Sequence, residues 1–272
     1  RYIEDKLDFM LELIPDLDFI SQMAAVQKKL IATGIPMCVP EYRAESEKVF
    51  TAEGMCDPNL ALNAYDRNEP VNVVPNDITF DERGRIYLLT GPNSGGKSVF
   101  MRTVGLIQIM AQIGMLVPAR KAVVSPASAI LVKLSYQNSS SDIGGRFELE
   151  CRAFREIFRK VDGHSLLIID EAFSSTNPNE AVMLCSELLR TMQAIGVRGI
   201  MASHFHALTE VVRALNESGE QVLDYLFAWV DRDEKRTYRI ERRPPDGRSY
   251  ANFIARRYGD SYADPIAQQE ER

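Results

Sequence analysis

Apolar residues recur at helical spacing from Tyr2 to Ile31, interrupted by Pro15. A proline inside a helix removes a backbone donor and crowds the preceding turn. The pattern therefore predicts a helix to Leu13, a break, and a second helix from Asp16 or Asp18 to Leu30. Leu17, Ile20, Met23, Ala24, Gln27 and Leu30 would share one face, and Gly34-Ile35-Pro36 ends the segment. From Cys38 to Val74 the signal weakens into scattered prolines, charged turns and short apolar pieces such as Lys48-Val49-Phe50. Asn72 to Phe80 alternates loosely, as a strand does, and Asp81-Glu82-Arg83-Gly84 reads as a turn. The β-branched and aromatic run from Arg85 to Thr90 then reads as its hairpin partner.

Helical spacing returns from Val99 to Ile113 and stops at Gly114. Strands are predicted around Ala122 to Val124 and from Ala129 to Leu134. Gln137 to Arg146 is polar and reads as a loop. Phe147 to Lys160 resumes a helix with Phe147, Cys151, Phe154, Ile157 and Phe158 along one side. After Ser165, the run Leu166 to Ile169 is wholly apolar and leads into Asp170-Glu171, as a doubly covered parallel strand does at its C-terminal end. A helix from Asn179 to Ile195, a buried strand from Gly199 to Ser203 and a helix from Ala207 to Asn216 follow. Val222–Val230 and Thr237–Arg242 read as a hairpin, Ser249 to Tyr258 as a short helix, and the polar residues from Asp260 onward as a fraying end.

Chemistry concentrates between the first of these buried strands and the helix after it. Gly91-Pro92-Asn93-Ser94-Gly95-Gly96-Lys97-Ser98 fits the phosphate-loop pattern G-x-x-x-x-G-K-[ST], and it sits between a strand and a helix as that motif requires. A glycine-rich turn with a chance lysine is the plainer alternative, and the flanking elements argue against it. Glycines let successive backbone N–H groups turn toward phosphate oxygens, and the helix that follows points its positive dipole end at the same place. Lys97 is expected to reach the β- and γ-phosphates of a nucleotide, and the Ser98 hydroxyl to ligate Mg2+. Asp170 lies 73 residues after Lys97 (170 − 97), room for further strands and a crossover helix. It suits a magnesium-supporting acid. Glu171, one residue past the strand, suits the group that activates water. His204, at the end of the next buried strand, could bond the γ-phosphate. His206 is the weaker candidate, and His164 reads as surface.

Composition narrows the setting. The 272 residues carry 45% hydrophobic and 26% charged side chains with a net charge of −6, an ordinary globular balance. An acidic chain is not built to hold DNA over its whole surface, so DNA contact would be local or lie in other domains. The charged start at Arg1, without an initiator methionine, reads as part of something longer. Cys38, Cys56, Cys151 and Cys185 show no C-x-x-C spacing and are expected as buried free thiols rather than a zinc site. With no run long enough to cross a bilayer and no signal-peptide pattern, a soluble, cytoplasmic protein without membrane association is expected.

In this order, the phosphate loop, acidic strand and terminal histidine resemble the ATPase domain of the MutS family of DNA mismatch-repair proteins. Gly91 to Ser98 with Met101-Arg102 is similar to that family's GPNxGGKS…xR segment. Gln112 to Ala119 resembles its IG-x-x-VPA segment, and Phe147 with Glu150 its F-x-x-E. Asp170-Glu171, Ala202-Ser203-His204-Phe205 and Ser249-Tyr250 resemble its DE, THY-like and SYG-like motifs. The likeness runs from about Glu53 to Tyr258. It implies an α/β fold of the P-loop NTPase, ABC-ATPase type: a mainly parallel central sheet flanked by helices, with an N-terminal helical lever remnant. It divides the chain into residues 1–35 as the end of a lever, 36–243 as the ATPase domain and 244–272 as a C-terminal dimerisation segment.

The resemblance also implies a role. ATP and Mg2+ would be held by Gly91, Pro92, Asn93, Ser94, Gly95, Gly96, Lys97, Ser98 and Val99. Val71 would stand where an aromatic packs on adenine, and Ser98 and Asp170 would hold the metal. Glu171, His204 and Lys97 would be the catalytic set. The working unit would be a homodimer with composite ATP sites, contacting DNA through domains outside this piece and passing its state to a downstream repair protein. Three departures stand out. Gly145-Arg146 replace the serine-bearing approach to the phenylalanine, leaving a neighbouring serine or Arg146 to act across the interface. Ala172 to Pro178 replace a glycine-rich loop, and Val71 replaces the aromatic. They suggest a divergent member whose target need not be a mismatch. A transporter-type or chromosome-maintenance ATPase lacks support, since no Leu-Ser-Gly-Gly-like signature precedes Asp170. An ATP-binding switch without turnover stays open through Gly145.

Overall fold

The computed structural model describes residues 2–134, 145–231 and 236–245, the side chains of residues 2–10 and 12 excepted. The first helix, α1 (Tyr2–Ala32), runs unbroken through Pro15. The expected break does not occur. Proline removes one backbone bond, and the flanking turns, rich in Leu, Met, Ala, Lys and Glu, carry the helix across it. Leu30 is buried and Met23 packs on the core, whereas Leu17 and Ile20 remain exposed.

The weakly patterned stretch that follows is ordered. It holds β1 (Glu41–Tyr42), a 3-10 turn at Glu45–Glu47, β2 (Phe50–Met55) and α2 (Pro58–Asp66). The Asp57 side chain accepts from Leu60 N at 2.8 Å as the N-cap of α2, and Pro58 fills the first turn, where no backbone donor is needed. Then come β3 (Asn76–Phe80), β4 (Ile86–Thr90), α3 (Lys97–Gln112), β5 (Lys121–Val124) and β6 (Ile130–Lys133). Further along the chain come α4 (Arg146–Phe158), β7 (Leu166–Asp170), α5 (Pro178–Ile195) and β8 (Arg198–Ala202). The described chain closes with α6 (Leu208–Ser218), β9 (Leu223–Val230) and β10 (Arg236–Glu241).

Two sheets form, so the strands are not all in one parallel layer. The larger has the order β10-β9-β4-β8-β7-β6. Its strands β9, β4, β8, β7 and β6 are parallel, and β10 joins the edge antiparallel. The smaller has the order β1-β5-β2-β3 and is mostly antiparallel. β3 and β4 are therefore not the hairpin expected from sequence. β4 is buried at all five positions and needs cover on both faces, whereas the half-exposed β3 suits an edge. The Asp81 carboxylate accepts from Arg83 N and Gly84 N, closing the turn that carries the chain from one sheet to the other. A Cβ at Gly84 would collide with the Tyr87 hydroxyl.

Alternate β4 side chains face two cores. Tyr87 and Leu89 pack with α3 and the small sheet, while Ile86 and Leu88 pack with α5, α6 and Phe154 of α4. The order of layers is small sheet with α3, large sheet, then three helices. On α4 the expected stripe shifts: Glu150 and Phe154 are the buried positions, and Phe147 and Cys151 are exposed. Cys151 thus departs from the expectation of buried thiols. Cys56 and Cys185 are buried, Cys38 is half-buried, and all four are free. Among the described residues no helix is long and apolar enough to cross a membrane. The helix expected at Ser249–Tyr258, the Ser249-Tyr250 motif and most of the segment 244–272 lie outside the described residues, as do residues 135–144 of the expected loop.

Candidate active site

Strand order brings the site together. β4 lies between β9 and β8, and β7 is the next strand over, with Leu89 and Asp170 both in register with Ala202. The loops leaving the C-terminal ends of β4, β8 and β7 therefore share one edge, where open α/β sheets bind ligands.

The loop after β4 turns through left-handed backbone at Gly91 (φ 128°), Ser94 (φ 59°) and Gly96 (φ 94°). Gly91 admits no side chain, because a Cβ there would lie 2.8 Å from Ala228 Cβ and 2.9 Å from the Ala228 carbonyl oxygen. Gly96 caps α3, and Lys97 and Ser98 open the helix. Lys97 is 6% exposed, and its Nζ donates to the carbonyls of Gly91 at 2.9 Å and Pro92 at 3.0 Å. Burial pulls the Lys97 ammonium below its usual range, and the carboxylates of Glu171 and Asp170 partly offset this. An anion arriving at the loop would supply the missing compensation.

Ser98 Oγ donates to Asp170 Oδ2 at 2.7 Å. Asp170 is buried, and its second oxygen, Oδ1, has no hydrogen-bond partner. A buried carboxylate oxygen without a donor is the kind of group a hard cation satisfies. Among the described residues no group of three or more His, Cys, Asp or Glu could hold a metal alone. The Ser98 hydroxyl and the Asp170 carboxylate are the kind of donor set Mg2+ takes, one or two protein oxygens completed by water and phosphate oxygens. Glu171 follows in left-handed backbone (φ 48°), its N–H donating to the Ala202 carbonyl at 3.1 Å.

These groups border a cavity of about 610 Å3. Of the residues expected at the site, Asn93, Ser94, Gly96, Lys97, Ser98, Val99, Asp170 and Glu171 line it. Gly91 and Pro92 take part through the carbonyls that hold Lys97. Gly95 stands behind the loop, where a Cβ would meet Pro92 O at 2.9 Å. Val71 is not brought in. It lines a neighbouring cavity with Thr33, Gly34 and Arg120, and Val73 borders both spaces. His204 is exposed beyond β8 with its ring 4.2 Å from that of Phe205, and it is not among the residues lining the main cavity.

Sequence reading missed the far wall, formed by Met55, Asp57, Leu60, Val74, Asn76 and Tyr238. Asp57 accepts from Arg102 Nε at 3.0 Å and Thr103 Oγ1 at 3.1 Å, tying α2 to the phosphate-loop helix. Asp57-Pro58 is a recognisable helix-start signal that could have exposed α2. Tyr238 carried no local signal. It adopts φ 57° in β10, and Asn76 fixes it by donating to Tyr238 O at 3.1 Å and accepting from Ile240 N at 2.7 Å.

The family model for MutS domain V matches residues 87–251, more than half of the chain. The chain belongs to the MutS family. Domain V is the family's P-loop ATPase domain, which agrees with the α/β architecture and the loop geometry. Similarity to individual MutS-family proteins runs the same way. The chain is 32% identical over 186 residues to Endonuclease MutS2 of Thermus thermophilus, covering 68% of this chain and 24% of that one. It is 37% identical over 140 residues to DNA mismatch repair protein MutS of Sorangium cellulosum, covering 51% and 15%. Against DNA mismatch repair protein MutS of Streptococcus sanguinis it is 28% identical over 261 residues, covering 94% and 28%. The chain spans roughly a quarter or less of the length of most of these relatives, from 15% to 28%.

Proposed function

We propose that this chain binds ATP with Mg2+ in the cavity beside Lys97 and hydrolyses it, as the ATPase part of a DNA-repair protein that closes as a dimeric clamp on DNA. The observation that carries the reading is the Ser98–Asp170 contact at 2.7 Å beside the unpartnered Asp170 Oδ1, facing a glycine loop that opens a helix. In this reading the backbone N–H groups of residues 93–98 cradle the phosphates, and Lys97 transfers its hydrogen bonds from loop carbonyls to phosphate oxygens. Ser98 and Asp170 would hold the metal, which supplies neutralisation of phosphate charge when bound. Glu171 takes a proton from the attacking water at its carboxylate. His204 would approach the γ-phosphate only after a movement, since its ring lies outside the cavity lining. Tyr238 and Val74, rather than Val71, border the apolar end of the nucleotide.

The fold would be of the ABC-ATPase type, with residues 1–35 as a lever end, 36–243 as the ATPase unit and 244–272 as a dimerisation segment. DNA contact, a downstream repair partner and a cytoplasmic location belong to the same reading. A target other than a mismatch is favoured by Ala172 to Pro178, which replace the family's glycine-rich loop, and by the presence of a MutS2 among the similar proteins. The test is Glu171→Gln: ATP binding is expected to survive and turnover to be nearly lost. Sedimentation of that variant with Mg·ATP is expected to give a dimer. Unchanged turnover in Glu171→Gln would defeat the reading.

A further inference from the structure

One buried ion pair lies outside the cavity. Glu150 on α4 is 0% exposed and Lys133 at the end of β6 is 4% exposed, with Lys133 Nζ 3.2 Å from Glu150 Oε1. Lys133 also donates to the Leu134 carbonyl at 3.1 Å and lies 5.8 Å from the Phe154 ring centroid. A pair this dry adds little net stability, because desolvation of both charges cancels most of their attraction. Its second carboxylate oxygen points to another task. Glu150 Oε2 accepts from Ser175 Oγ at 3.2 Å, and Ser175 is an exposed residue four positions beyond Glu171.

The segment it holds has unusual backbone. Glu171 at φ 48° and Phe173 at φ 56° both lie in the left-handed region that side chains with a Cβ avoid. Such a turn persists only where its surroundings over-determine it. Phe173 is buried between Phe154 and Phe147 of α4, with ring centroids 5.0 and 6.0 Å away. The Ala172 carbonyl accepts from the Cys185 thiol at 3.7 Å. Ser175 on Glu150 is the polar anchor at the far end. We propose that Glu150, fixed by Lys133, is a positioning residue: through Ser175 it holds the turn at residues 171–173 so that Glu171 faces the cavity. This rests on the reading of Glu171 as the group that takes a proton from water.

The experiment measures Mg·ATP turnover, affinity for a fluorescent ATP analogue and thermal midpoint on the 272-residue chain. Ser175→Ala removes the anchor without burying a lone charge. Glu150→Met combined with Lys133→Met removes both charges together. Each is expected to lower kcat by about ten- to a hundredfold, as small misplacements of a reacting group do, while nucleotide affinity stays within about twofold. Ser175→Thr, which keeps the hydroxyl, is expected to restore turnover. Unchanged kcat in Ser175→Ala overturns the proposal, and so does a parallel fall in affinity, since a merely structural pair would affect the whole cavity. Glu171→Gln separates the two readings. If it abolishes turnover while Ser175→Ala does not, the positioning role alone fails. If it leaves turnover intact, or if the parent chain has none, the role of Glu171 fails and the positioning role with it.

Discussion

Ser98 and Asp170, 72 positions apart, meet at 2.7 Å because β4 and β7 end at the same edge of one sheet, two strands apart. The hydroxyl and the carboxylate jointly offer oxygen ligands while leaving Asp170 Oδ1 unpartnered. Replacing Ser98 by alanine removes one oxygen and frees the other. The Mg2+ concentration for half-maximal ATP binding is expected to rise about tenfold in Ser98→Ala, the worth of one charge-assisted contact. Titrating Mg2+ at fixed nucleotide checks this, and an unshifted midpoint would remove Ser98 from the metal site.

Asp57 serves two elements at once. It caps α2 and accepts from Arg102 and Thr103 on α3, with its side chain 1% exposed. Asp57→Ala loses the cap and leaves donors on α3 without their acceptor, at an expected cost of about 2 kcal/mol in chemical denaturation. Arg102→Ala, whose side chain is 41% exposed, is expected to cost less than half of that. Equal losses would mean that the ion pair, not the cap, dominates.

Tyr238 is expected to act on the apolar part of the nucleotide. Tyr238→Ala should weaken ATP binding by about five- to tenfold, the scale of one aromatic contact, and leave tripolyphosphate binding unchanged. Isothermal titration with both ligands distinguishes the cases. Equal weakening for both would assign the residue to the phosphate loop, where its ring stands 3.6 Å from the position of a Cβ on Gly96.

Acid stability carries a signature of Asp162. Hydrogen bonds from Ser128 and Ser165 hold its carboxyl down at about 2 against an ordinary 3.8. A folded-state value below the unfolded one means the folded state releases its proton more readily. The contribution is therefore complete above about pH 4 and is lost as pH falls toward 2. Asp162→Asn lacks that contribution at every pH, so stability is expected to fall at pH 7 and to converge on the parent's as pH nears 2, which flattens the acid-unfolding curve across the window. A curve parallel to the parent's would show that the two serines bind it no better when folded.

Cysteine labelling separates exposed from buried thiols. Burial pushes Cys185 up to about 12, and Cys151 is exposed on α4. Iodoacetamide at pH 8 is expected to modify Cys151 in the folded chain and Cys185 only after denaturation, which peptide mass spectrometry reads directly.

The sequence by itself determined the parts whose physics is local. A glycine loop between a strand and a helix, an apolar strand ending in two acids, and the helices expected at Val99–Ile113 and Asn179–Ile195 hold as elements, within a residue or two at their ends. Each depends on neighbours in the chain: backbone freedom, periodic burial and caps. What only the tertiary structure decided depends on residues far apart. Pattern alone could not assign β3 to a second sheet, because a turn with Asp81 at its start serves a hairpin or a sheet crossing equally well. Nor could it replace Val71 by Val74 and Tyr238 in the cavity wall, since Tyr238 is set by an asparagine 162 positions away. Glu150 was legible only as the acid of an F-x-x-E likeness, and its partners, Lys133 and Ser175, come from two other segments. Burial and pairing of charge are properties of the packed chain, because desolvation depends on every element that closes over the group.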